Sequence, residues 1–518
     1  MSLYRNFINV GVLTLGSRVL GFARDALMAA VLGTSPAADA FNAAFRFPNL
    51  FRRLFAEGAF NTAFVPMFAT ALERDGPDKA RLLAGRIMSW LVAMVLGVTV
   101  LFEIFMPWIT VAFVPGFVND PAKLELTVFL TRIMFPYLAC MSLMAAYAAI
   151  LNSLGRFFAA AFAPILLNIV NIGALIPLAV MALNNPAETA FWVGIATMAG
   201  GVAQLLLVYW AIKRAGFVPR IGLPRFDPEV RRFWLLAIPA IMTGGITQIN
   251  IIVGTTIASG SDGVISILSL ADRLYQLPLG IVGIAIGTVL LPELSRHLGA
   301  GRDREARASQ SQSLLLSMLL SMPAATALVA LAMPIVRVLY ERGLFNAVAT
   351  VKVSEALIAF AVGLPAYVLI RVLQPGYFSR KDTKTPTIFA GISVVANIGF
   401  SLLLFPSLQH VGIALATSIS AWLNAILLAV FLALRGHFSL TLSEWKNHAL
   451  VIACSLIMGA VLYGLAQHAG PIFASGYSFP MQALSLLIIC TYGFVLYFTL
   501  IHFSGAQPLG MFIRRLRR

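Results

Sequence analysis

Residues 90–114 read WLVAMVLGVTVLFEIFMPWITVAFV, with Glu103 as the single charged side chain. A helix needs roughly 20 mostly apolar residues to cross a bilayer, so this stretch is expected to be a membrane span. The rest of the chain repeats the pattern. Of its 518 residues, 59% are hydrophobic and 11% charged, and the mean hydropathy is +0.88. Soluble domains carry about 25% charged residues. The composition therefore excludes an ordinary cytosolic enzyme, a nucleic-acid-binding module and a disordered protein, and predicts an all-α polytopic membrane protein.

Fourteen transmembrane helices are expected, centred near Leu20, Phe55, Met94, Cys140, Val170, Gly201, Gln248, Gly280, Ala325, Leu364, Val394, Ser420, Met458 and Ile488. The net charge of +16 is explained by placement, because basic residues of membrane proteins gather in cytoplasmic loops. With a cytoplasmic N-terminus, the cytoplasmic segments hold 25 of the 37 lysines and arginines. The opposite side holds only Lys123, Arg337, Arg342 and Lys352, and 8 lie within the spans. Both termini are therefore expected in the cytoplasm. Arg18, Arg24 and Asp25 exclude the first apolar stretch from being a cleavable signal. Cys140, Cys454 and Cys490 stand singly, with no disulfide or zinc spacing.

The chain resembles itself at a shift of about 229 residues, counted from Pro136 to Pro365 and from Asn168 to Asn397. Thr62 and Pro66 match Thr288 and Pro292 at a slightly shorter offset, and the tripeptide Gly194–Ala196 recurs as Gly412–Ala414. Spans 1–6 (residues 1–215) and 7–12 (216–436) are expected to be two parallel six-helix lobes around a central cavity. Residues 437–518 add helices 13–14 and a basic tail. Those two helices suit either a groove for a lipid tail or a structural hairpin.

The informative charges are the eight arginines inside spans: Arg18, Arg24, Arg46, Arg52, Arg53, Arg132, Arg273 and Arg371. A charge at the bilayer centre costs about 2.5–3.5 kcal/mol even on the lenient insertion scale. Each arginine could be paired locally or reach an interface. Arg18 and Asp25 share a helix face, Glu57 follows Arg53 by four, and Asp272 adjoins Arg273. Yet the acids within spans (Asp25, Asp39, Glu57, Glu103 and Asp272) are too few for the set. The surplus points to a cavity for an anion, and arginine suits a bidentate grip on phosphate oxygens. Helix interruptions are expected at Gly16, Gly21, Pro48 and Pro278, as in a transporter's discontinuous spans.

Four motifs then carry a resemblance over the whole chain: GSRVLGFARD (16–25), ADAFNAAFRFPNLFRRLFAEGAF (38–60), ADRLYQLPLG (271–280) and PGYFSRKDTKTP (375–386). They resemble the MurJ (MviN) family, bacterial lipid II flippases of the multidrug/oligosaccharidyl-lipid/polysaccharide exporter superfamily. The resemblance implies two six-helix lobes, a tail groove on the last two helices, and the undecaprenyl-pyrophosphate-linked peptidoglycan precursor as substrate. It implies substrate binding by Arg18, Arg24, Arg52 and Arg273, with Asp25, Asp39 and Asn49 beside them; Arg53, Asp272 and Gln276 complete the candidate set. Gln276 stands where family members usually carry an acid. The seventh and eleventh spans offer Asn250 and Asn397 rather than the acids of the family's sodium site, so no metal or other cofactor is expected.

The expected mechanism is alternating access coupled to membrane potential, in a monomer of the bacterial inner membrane that meets membrane lipids and the peptidoglycan-synthesis machinery, and no nucleic acid. Rival readings are a flippase for another polyprenyl-linked glycan and a drug/cation antiporter, whose cavity would carry the opposite charge. A membrane-embedded enzyme is disfavoured, because the six histidines lie at span ends or in loops without metal-ligand spacing. No GxxxxGK[ST] occurs to drive transport with a nucleotide.

Overall fold

The computed structural model describes residues 3–53, 61–181, 185–474 and 477–505, and every element among them is helical. The expected span centre at Phe55, the acid Glu57 and the terminal arginines Arg514, Arg515, Arg517 and Arg518 lie outside the described residues.

Two compact units form, Met1–Ser266 with Arg342–Phe345, and Ile267–Glu341 with Asn346–Arg518. The first holds α1 (Leu3–Leu32), α2 (Pro36–Arg52), α3 (Asn61–Arg74), α4 (Pro77–Phe113), α5 (Pro121–Met134), α6 (Tyr137–Ser153), α7 (Phe158–Val180), α8 (Pro186–Arg214) and α9 (Pro228–Ala258). The second holds most of α10 (Val264–Gly299), then α11 (Asp303–Ala330), α12 (Ala332–Tyr340), α13 (Ala347–Phe378), α14 (Lys384–Leu434), α15 (Leu442–His468), α16 (Gly470–Phe473) and α17 (Phe479–Phe503).

Local sequence sets the helix starts. Ser35, Asp120, Asn185 and Asp227 each precede a proline, and each side chain accepts a backbone N–H of the first turn. The cap satisfies an orphan donor while proline fills a position whose N–H would be unpaired. At α15 Thr441 and Glu444 form a reciprocal capping box.

Nine helices among the described residues are long and apolar enough to cross a membrane, and the chain is a multi-pass membrane protein. One of the nine is a hairpin. Gln409 breaks the 51 residues of α14 with φ 45° and ψ −120°. Beyond it the second leg runs back beside the first, bringing the Phe389 and Phe431 rings to 5.4 Å. A Cβ at Gly412 would lie 2.7 Å from the Leu404 carbonyl oxygen, so the tight reversal requires glycine there.

The interruptions expected at Gly16, Gly21, Pro48 and Pro278 are not breaks, since α1 is continuous and both prolines sit inside helices. Membrane helices tolerate such residues because neighbouring groups satisfy the freed backbone. Pro136 does separate α5 from α6, whereas its repeat counterpart Pro365 lies inside a continuous α13.

In the first unit α1 packs along α7, α7 beside α8, and α2 against α5. In the second, α13 packs on α14 and α11, and α11 on α15. Leu319, Val338, Met458 and Ile501 share one apolar cluster, which seats α15 and α17 on α11 and α12. The opposite sides of α15 and α17 present Leu456, Leu487 and Phe494 to the surroundings.

Candidate anion-binding site

Arg24 sits in the apolar body of α1. Its Nε and Nη2 donate to Asp25 Oδ1 at 3.1 and 2.7 Å, and its Nη1 donates to Asn168 Oδ1 at 3.1 Å. The Asn168 amide in turn donates to the Ser17 carbonyl at 3.0 Å. One asparagine on α7 thus joins two turns of α1. The Arg24 and Asp25 side chains are 12% and 11% exposed, so the pair is largely withdrawn from the surface. Of the local pairings open to Asp25, the bond formed is with its neighbour Arg24.

Arg18 is exposed and has no hydrogen bond or ion pair among the described residues. On α2 the side chain of Asn49 accepts from Arg52 Nε at 3.2 Å and donates to the Phe45 carbonyl at 3.0 Å. Arg53, which caps α2, is exposed. Arg46 donates to the Thr255 hydroxyl, a local partner of the kind that lets an arginine remain within a span.

Asp39 is placed differently from the other candidates. Its carboxylate is fully buried and accepts from Lys123 Nζ at 3.0 Å, Gly263 N at 2.7 Å, and Ser266 N and Oγ at 2.9 and 2.8 Å. Lys123 also donates to Asp262 at 2.8 Å and lies 4.1 Å from the Phe117 ring centroid. This lysine, counted in the sequence among the cations outside the spans, is buried in the first turn of α5.

In the second unit Asp272 accepts from Gln276 one helical turn later, and Arg273 and Gln276 are both exposed. The Tyr275 ring packs beside those of Phe360 and Tyr367, at 5.2 and 6.0 Å. The motif at 375–386 supplies a polar joint between α13 and α14. Asp382 accepts from Thr385 N at 3.0 Å, Thr385 Oγ1 at 2.7 Å and Arg435 Nη1 at 2.6 Å. The two Thr385 bonds, helped by Arg435, hold its carboxyl down at about 2.

Four candidates of the first unit therefore form two bonded pairs, Arg24 with Asp25 and Arg52 with Asn49, while Arg18 and Arg53 are exposed. Arg18 and Arg24 stand six residues apart on one helix. Such an arrangement can take a multiply charged anion, because guanidinium groups offer paired donors to phosphate oxygens. Asn168 and Lys123 are the side chains that sequence reasoning missed as partners.

Known proteins add to this geometry. The chain is 47% identical to a protein of Rhizobium tropici described as a probable lipid II flippase MurJ, over 100% of this chain and 97% of that one. A solved structure of lipid II flippase MurJ in an inward closed conformation aligns with a TM-score of 0.78 at 27% identity, covering 99% of this chain and 100% of that chain. An inward-facing multidrug resistance MATE transporter of the MOP superfamily shares the fold, with a TM-score of 0.67 at 15% identity over 81% of this chain and 94% of its own. The profile of the lipid II flippase MurJ family matches residues 28–483; the chain belongs to that family, whose members are transporters rather than enzymes.

Proposed function

We propose that this protein carries lipid II from the cytoplasmic to the periplasmic leaflet of the bacterial inner membrane, with both termini in the cytoplasm. The observation that carries this reading is the pair Arg18 and Arg24 on one apolar helix, where Asp25 is the single acid of that helix. A phosphate-bearing lipid matches that surplus of charge, and the names of the relative at 47% identity and of the solved structure at 27% support lipid II as the cargo.

In this reading Arg24, Arg52 and Arg273 hold the pyrophosphate, with Arg18 and Arg53 adding charge. Asp25 and Asn168 keep Arg24 in place between cycles and release it when phosphate oxygens compete. Fourteen crossings, arranged as six-helix lobes over residues 1–215 and 216–436, exchange access between the two leaflets. Residues 437–518 hold the lipid tail along α15 and α17. Moving net charge through the field couples transport to membrane potential, at about 2.3 kcal/mol per charge per 100 mV.

The test is lipid II accessibility at the outer face of spheroplasts depleted of their own flippase. Cells receive this chain, its Arg24→Ala form or its Arg273→Ala form at equal membrane levels. Restoration by the unmodified chain alone supports the phosphate grip. Restoration by all three would make the arginines structural, and restoration by none, with normal insertion, would point to another lipid-linked glycan.

A further inference from the structure

The connection between α8 and α9, residues 215–227, is bound along the side of α4. The Gly216 carbonyl accepts from Arg81 Nη2 at 2.8 Å, Gly222 N donates to Ser89 Oγ at 3.0 Å, and the Arg225 carbonyl accepts from Trp90 Nε1 at 2.9 Å. At Gly85 the backbones come so close that a Cβ would lie 2.4 Å from the Arg220 carbonyl oxygen. This is a fixed strap rather than a free loop.

The strap turns its backbone inward and the wrong kind of side chain outward. Leu223 is 88% exposed and Phe226 65%. Arg220 and Arg225 flank Leu223, and Arg231 and Arg232 follow in the first turn of α9; all four are exposed and none has an ion-pair partner among the described residues. The acids nearby are engaged elsewhere. Asp227 and Glu229 both reach Arg86, at 2.9 and 3.2 Å. The outward face is therefore basic and apolar together, where two apolar helices end.

We propose that this face is a docking surface for anionic lipid headgroups of the adjoining leaflet, with Leu223 and Phe226 inserted at the headgroup boundary and the four arginines on the phosphates. Interleaved arginine and large apolar side chains at the end of a membrane helix match a charged bilayer surface in both respects. A cytosolic nucleic acid would satisfy the charge and leave Leu223 in water. The surface is separate from the proposed pyrophosphate grip and stands or falls independently of it.

The test uses the full-length chain with Cys140, Cys454 and Cys490 replaced by alanine and an environment-sensitive fluorophore at Leu223→Cys. The protein is placed in nanodiscs of phosphatidylcholine alone or with phosphatidylglycerol. Docking predicts blue-shifted emission, quenched by headgroup-level spin labels, in the anionic discs. The signal is expected to weaken in neutral discs, at high salt, and in Arg220→Gln/Arg225→Gln and Arg231→Gln/Arg232→Gln chains, by about fivefold in docked population per arginine. The salt arm needs no charge substitution, so it stands even if a variant is poorly made. Water-like emission in both disc types overturns the proposal, as does a blue shift indifferent to salt, lipid charge and the arginines.

Discussion

Lys123 and Asp39, 84 residues apart in sequence, meet at 3.0 Å with side chains 1% and 0% exposed. The pair joins the first turn of α5 to α2, and through Gly263 and Ser266 it reaches the start of α10. Removing Lys123 strands the buried Asp39 charge, whereas removing both strands none. Lys123→Met alone is expected to cost about 3–5 kcal/mol, and Asp39→Asn alone less, because Lys123 keeps Asp262 at 2.8 Å. The Lys123→Met/Asp39→Asn double variant should cost less than the sum, because asparagine keeps an acceptor for Ser266. Thermal unfolding of the four proteins in detergent measures the coupling, and simple additivity would contradict it.

Asn168 ties Arg24 to Ser17 through both ends of its amide. Asn168→Ala removes a bond to a charged group, worth about 1.5–3 kcal/mol, and frees the Arg24 head. Reduced stability together with impaired lipid II exposure at equal membrane level is expected. Asn168→Asp should instead hold Arg24 more tightly and slow transport, while still losing the bond to the Ser17 carbonyl, to which a carboxylate cannot donate. Equal behaviour of the two variants would show that the contact only packs α1 against α7.

Asp382 provides a pH signature. Its carboxyl lies at about 2, below the ordinary 3.8, because the charged form is held by Thr385 and Arg435. A depressed acid stabilises the fold above its unfolded value and loses that contribution as pH falls through the folded one. The melting temperature should therefore fall between about pH 4 and pH 2 by less in Asp382→Asn than in the unmodified chain. Parallel curves for the two would remove Asp382 from the account.

Gly201 on α8 faces the Tyr137 ring, and a Cβ there would lie 2.4 Å from a ring carbon. Small residues let membrane helices approach closely. Gly201→Ala is expected to cost about 1–3 kcal/mol through overpacking, and Tyr137→Phe should not relieve it. An unchanged melting temperature for Gly201→Ala would show that the ring moves aside freely.

The fold was legible where composition alone decides it. Long apolar runs gave the helices, and the 51 residues of α14 already asked for two crossings, which the reversal at Gln409 provides. The intramembrane arginines were legible too, because an uncompensated charge in an apolar run is visible without coordinates. Their partners were not. Asn168 is an ordinary polar residue of α7 until α1 lies beside it, and its bond to Arg24 spans 144 residues. Lys123 reads as a loop cation because Asp39 and Asp262 are 84 and 139 residues away. Gly16, Gly21, Pro48 and Pro278 misled in the other direction, since local breaking power yields to packing in a membrane helix.

The reversal at Gln409 has a bearing on how the protein is built and mapped. With one non-helical residue between the legs of α14, that corner offers a protease, an antibody tag or a fused reporter nothing to grasp. An insertion at 409 would pry the legs apart and report on a damaged protein, so orientation is better mapped from the connection at 435–441. The two legs also have no spacer that would let one settle while the other waits, and during synthesis they are expected to enter the bilayer together.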